Sequence, residues 1–113
     1  MINYSKRYEN YKSEFLQYTL DLFSPLGRLS TKTLFGGNAI LKNNITFAMV
    51  FDGSIYLKTN KNTVKKYLDL NSKPLSYKKN YKTIELRYYE IPVEILDDED
   101  QLIEWAIEAT QIK

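Results

Sequence analysis

The chain has 113 residues, 43% of them hydrophobic, which fits one domain built around one core. It contains neither cysteine nor histidine, which excludes disulfides, thiol catalysis and the usual zinc sites and removes the commonest general base. The net charge of +2 hides a segregation: from Lys58 to Arg87 nine cations stand against two acids, and from Tyr88 to Lys113 eight acids stand against one cation.

The N-terminal MINYSKRYENYKSEF lacks the apolar stretch of a signal peptide. No apolar run approaches the roughly 18 residues of a membrane span. The expectation is a cytoplasmic protein with no membrane partner.

Residues 1–5 read as a lead, and Lys6 to Phe23 as a helix capped by Ser5, with Tyr8, Tyr11, Phe15, Tyr18 and Leu22 at helical spacing. Ser24-Pro25 ends it, because the residue before proline is pushed out of the helical region, and Gly27 turns the chain. Arg28 to Phe35 alternates as a strand. Gly36-Gly37 then permits a bend or bulge. Ala39 to Lys42, Ile45 to Phe51 and Ser54 to Lys58 form a meander. Its turns are Asn43-Asn44 and Asp52-Gly53, whose residues tolerate the positive φ of tight hairpins. ITFAMVF, nearly continuous in apolar character, is expected to be the most central strand.

Asn60 to Leu70 predicts a second helix with Val64, Tyr67, Leu68 and Leu70 inside. Leu75 to Lys79 and Thr83 to Tyr89 make a hairpin around Asn80-Tyr81. Val93 to Leu96 fits one helical turn. The last helix starts at a cap on Asp97 or Asp98 and runs to about Thr110, with Asp98 and Gln101 at capping-box spacing. Leu102, Trp105, Ala106 and Ala109 form its inner stripe. Runs of strands joined by tight turns point to an α+β domain spanning 1–113: a single antiparallel sheet of about five to six strands, with helices packed on it. The order is helix, strands, helix, two strands, helix. Phe15, Leu22, Phe35, Phe47, Met49, Phe51, Ile55, Leu57, Ile84, Leu86, Leu102 and Trp105 are the expected core.

Catalytic chemistry is hard to assemble from this chain. A Ser76–Lys78 pair is formally available, but alternation along a strand produces such pairs by chance. Glu85 and Glu90 cannot be set opposite a substrate from spacing alone. The acidic run Asp97 to Asp100 lacks the alternation and glycine of a calcium loop, and helix capping explains it better. Gly36-Gly37-Asn38 is too short for a phosphate cradle. The reading is therefore non-enzymatic, with no catalytic residue, metal or cofactor.

Two contact surfaces remain. Phe35, Gly36 and Gly37 form one candidate surface for a protein partner. Lys61, Lys65, Lys78 and Lys79 form a second, for an acidic partner or for nucleic acid; lysine interleaved with Tyr67, Tyr77 and Tyr81 across residues 58–82 is the raw material of nucleic-acid contact. The segregated charge also allows a homodimer.

The segments FLQYTLDLFSPLG, TKTLFGGNAIL, ITFAMVFDGSIYLKTN and LRYYEIPVEILDDEDQLIEWAIEA together resemble the N-terminal domain of the TfoX/Sxy family, from about Phe15 to Ala109. Leu34 stands where that family usually has methionine before FGG. The resemblance implies a bacterial transcriptional co-regulator of competence for DNA transformation, acting with a cyclic-AMP-dependent activator and the transcription machinery. It implies no catalytic residues. Full-length members carry a second, helical domain, and the expectation is that this chain lacks it.

Overall fold

The structure, a computed structural model, describes residues 4–113, with side-chain surroundings from Tyr11 onward. Helix α1 runs from Tyr4 to Leu22. Phe15, Leu16, Thr19, Leu20 and Phe23 face the core. Thr19 is buried without penalty because its hydroxyl donates to the Phe15 carbonyl oxygen at 2.8 Å. Tyr11 and Tyr18, expected on the inner stripe, are exposed: the buried line passes through Leu16, Thr19 and Phe23 instead. The Ser5 cap and the packing of Tyr8 lie outside the described side chains. A 3-10 turn over Ser24–Leu26 carries Pro25, and Gly27 closes it with φ +99°.

Six strands follow: β1 Ser30–Leu34, β2 Gly37–Lys42, β3 Ile45–Phe51, β4 Ser54–Lys58, β5 Pro74–Lys79 and β6 Lys82–Glu90. They form one sheet in the order β1-β2-β3-β4-β6-β5, and every pair is antiparallel. β3, the ITFAMVF strand, is flanked on both sides, as its composition predicts. Four connections are two-residue turns with both residues at positive φ: Phe35-Gly36, Asn43-Asn44, Asp52-Gly53 and Asn80-Tyr81. This is the pattern of hairpin turns whose twist matches the flanking strands. The expected bend at Gly36-Gly37 is thus a full turn one residue earlier, and Gly37 already belongs to β2.

Helix α2 (Val64–Asp69) is shorter than the predicted Asn60–Leu70. The Asn60 side chain accepts from the backbone N–H groups of Asn62 and Thr63 at 2.9 and 3.0 Å, so residues 60–63 form a turn instead. A six-residue helix has one inner turn. Tyr67 fills it, and Leu68 and Leu70, expected inside, are exposed. Helix α3 (Val93–Leu96) leads into α4 (Glu99–Thr110). Asp98 caps α4, accepting from the Gln101 backbone N–H at 3.1 Å and from the Gln101 side-chain amide at 2.8 Å.

The sheet has two apolar faces. On one, Ile40, Phe47, Ala48, Val50, Ile55 and Leu57 pack under α1 and α4, with Leu102, Trp105, Ala106 and Ala109. On the other, Ala39, Leu41, Met49 and Leu75 gather with Leu34, Phe51, Tyr56, Leu86 and Tyr88. A bulge lets β3 serve both. Ile40 pairs with Ala48 but Leu41 pairs with Thr46, so Phe47 is the extra residue. Phe47 and Ala48 therefore both turn toward the helices, and the Phe47 ring meets Phe23 edge-on at 5.6 Å.

The second face is covered by curling. Phe35, at the β1–β2 turn, stacks on Tyr77 of β5 with ring centroids 5.1 Å apart. Four strand spacings of about 4.8 Å separate β2 from β5 in a flat sheet, more than two side chains can span. The sheet therefore wraps on itself and brings its outer edges together. The expectation that Phe35 is buried is wrong: it is 51% exposed. Leu34 pairs with Gly37, so Phe35 is the first turn residue, at φ +53°, and its ring leaves the core. Phe15, Leu22, Phe51, Ile84 and Leu86 are half-buried, and the other expected core residues are buried.

Trp105 sits at the junction of α4 and α2. Its ring meets Tyr67 edge-on at 4.7 Å, and Lys66 Nζ lies 4.6 Å over it. Lys66 also pairs with Glu108 at 2.6 Å.

Candidate partner-binding surface

The Phe35-Gly36-Gly37 segment forms a corner with the β3–β4 turn and the first half of α1. Gly37 is buried, and a Cβ there would lie 2.2 Å from the Val50 carbonyl oxygen. Only glycine lets β2 approach β3 so closely. Gly36 is exposed at φ +77°. Its carbonyl oxygen accepts from Lys12 Nζ at 3.3 Å, tying α1 to the turn. Tyr11, Lys12, Gly36, Asn38, Asp52 and Gly53 are among the residues lining a cavity of about 100 Å³ here.

The corner thus combines an exposed ring, an ammonium, a carboxylate, an amide and turn peptide groups. It suits contact rather than covalent chemistry. Among the described residues no group of three or more Asp or Glu side chains converges on a metal-sized site. Among the described residues no helix is long and apolar enough to cross a membrane.

Of the three residues singled out by sequence, Phe35 and Gly36 face solvent, and Gly37 shapes the corner from beneath. Lys12, Asn38 and Asp52 were not legible as part of it, because nothing in the sequence ties α1 to two separate turns. Tyr77 was legible as a strand aromatic interleaved with lysines, not as the partner of Phe35. The Phe35-Gly36 turn had one signal, the two-residue gap between alternating runs, but phenylalanine is disfavoured at positive φ.

The four lysines are divided between the α2 region and β5. Lys65 pairs with Asp69 at 2.9 Å on the surface of α2. Lys61 lies in the turn before α2. Lys78 and Lys79 are successive residues of β5, opposite Thr83 and Lys82, and so point to opposite faces.

Protonation is shifted mainly among buried tyrosines. Burial, reinforced by the Glu108 charge, pushes the Tyr67 hydroxyl well above its usual range. Burial raises Tyr88, and burial with the Glu90 charge raises Tyr56. Asp98 moves the other way, lowered by the hydrogen bonds from Gln101.

The model of the TfoX N-terminal domain matches residues 21–112. The chain belongs to the TfoX N-terminal domain family. A search of the curated proteins finds no match. The match begins in the last turn of α1 and takes in the whole sheet, so it includes the Phe35-Gly36-Gly37 segment, the β3–β4 turn, the β5–β6 hairpin and α4, while Tyr11 and Lys12 of the corner lie before it.

Proposed function

We propose that the chain is a non-catalytic regulatory module that docks a protein of the transcription machinery at the FGG corner. The process it serves is regulation of competence for DNA transformation, in the cytoplasm of a bacterium. Membership of the TfoX N-terminal domain family over residues 21–112 carries this reading. The corner supports it as the docking surface: a large apolar ring is held outside the core at a strained backbone position, beside hydrogen-bonding groups from three elements.

The role is tested by deleting the gene in its host and counting transformants after exposure to marker DNA. The expected result is loss of transformants, restored by the wild-type gene and not by Phe35→Asn. Unchanged transformation in the deletion strain would overturn the competence role.

A further inference from the structure

Four similar turns in one molecule provide an internal comparison. Asn43-Asn44 and Asp52-Gly53 use residues suited to positive φ. Phe35-Gly36 and Asn80-Tyr81 each place an aromatic there, at φ +53° and +66°. Bulky side chains are genuine outliers in that region. At position 81 the disfavoured residue gains nothing inside the fold, since Tyr81 is 106% exposed at the tip of the β5–β6 hairpin. Glycine there would complete Asn-Gly, the most favoured hairpin turn.

The surroundings of that tip are basic. Residues 74–84 contain Lys78, Lys79 and Lys82 and no acid. Lys79 and Lys82 face each other in register, a like-charge pairing that disfavours the hairpin unless an anion sits between. Among the described residues none of the three lysines makes an ion pair. Glu85 lies on the opposite face of β6 from Lys82, and the next acid, Glu90 at the end of β6, is about 26 Å along the strand from Lys82, beyond the ~10 Å screening length of ordinary salt.

Alternation puts Tyr77, Lys79 and Lys82 on one face of the hairpin, with Tyr81 beyond them at the tip. The Phe35 ring holds Tyr77 in place. Along roughly 10 Å of strand the order is therefore aromatic, paired ammonium groups, aromatic. A single-stranded nucleic acid matches that order, presenting stackable base faces alternating with phosphates. An acidic peptide satisfies the lysines but leaves the two tyrosine faces without function. A duplex hides its base faces.

We propose that the β5–β6 hairpin binds single-stranded nucleic acid, with Tyr77 and Tyr81 stacking on bases and Lys79 and Lys82 contacting phosphates. This site adjoins the protein-docking corner of the proposed function through the Phe35–Tyr77 stack, but neither reading depends on the other.

The test is fluorescence anisotropy with a labelled oligothymidylate of ~15 nucleotides at about 50 mM salt. Poly-glutamate and a duplex of equal length serve as competitors. Two phosphate contacts predict that affinity falls roughly 7-fold between about 50 and 200 mM salt. Tyr81→Gly, which relieves the turn and must not lower the melting temperature, is expected to weaken binding at least about five-fold. Lys79→Ala/Lys82→Ala is expected to flatten the salt dependence. Absence of binding at about 50 mM salt overturns the proposal, since phosphate-driven affinity is greatest there. Binding that Tyr81→Gly leaves unchanged, or that poly-glutamate or duplex displaces equally well, also overturns it and marks a general polyanion surface.

Discussion

Phe35 and Tyr77 stack at an interplanar angle of 17°, although they come from opposite margins of the six-stranded sheet. The contact clasps a curled sheet and encloses the Met49–Leu75 cluster without a covering helix. It also opposes a local preference, because Phe35 occupies a turn position better suited to Asn.

Phe35→Asn removes a stack worth about 0.5–1.5 kcal/mol and relieves a turn strain of about 1–2 kcal/mol. The expected net change in stability is within about 1 kcal/mol by urea unfolding. The Tyr77 ring should nevertheless lose its ring-current shift in the NMR spectrum. A large destabilisation would show that the clasp holds the fold rather than merely closing it.

Gly37→Ala forces a methyl group to within 2.2 Å of backbone at Val50, which no rotamer change relieves. A loss of about 2–3 kcal/mol is expected, the upper range for overpacking. Gly36→Ala meets only the Phe51 ring, at 3.9 Å, and suffers mainly from its positive φ, at about 1 kcal/mol. Urea midpoints of the two variants should differ in that order.

Tyr67 is 1% exposed, and its hydroxyl has no hydrogen-bond partner among the described residues. Tyr67→Phe should be neutral or stabilising by up to about 1 kcal/mol. The raised pKa of Tyr67 means the folded protein holds this proton more tightly than the unfolded chain. Its stabilising effect is complete below the ordinary tyrosine pKa of about 10 and fades as pH rises above it. Melting curves from pH 8 to 11 should fall less steeply for Tyr67→Phe than for the wild type.

Asp98 behaves in the opposite sense. Hydrogen bonds from Gln101 favour its charged form and lower its pKa. The stabilisation is complete above the unfolded value of about 3.9 and is lost as pH falls through the folded one. Asp98→Ala should lower the melting temperature at pH 7 and have progressively less effect below about pH 4. An equal effect at pH 7 and pH 2 would show that the carboxylate charge does not matter.

Much of this fold is written in local chemistry. Asn43-Asn44 and Asp52-Gly53 mark their turns because their side chains tolerate positive φ, and Asp98 marks a helix start because a carboxylate satisfies free N–H groups. Trp105 falls on the inner stripe of α4 as its spacing requires. Longer-range features were not legible. Period-two reading puts Phe47, Met49 and Phe51 on one face, and only the partner strand reveals the bulge that divides them. Thr19 looks like a surface residue until its hydroxyl is seen bonded to its own helix. Phe35 reads as core because an exposed aromatic in a strained turn contradicts every local preference. Of the candidate corner, the FGG segment was legible. Lys12 and Asp52 join it only through tertiary packing.

The most direct test of the proposed docking role is a nuclease-treated pull-down of tagged protein from host lysate, read by mass spectrometry for wild type and Phe35→Asn. The proposal predicts that the wild type recovers RNA polymerase or a transcription activator despite nuclease, and that the variant loses it while remaining folded. Equal recovery by both proteins, or recovery that disappears with nuclease, would contradict docking at the FGG corner.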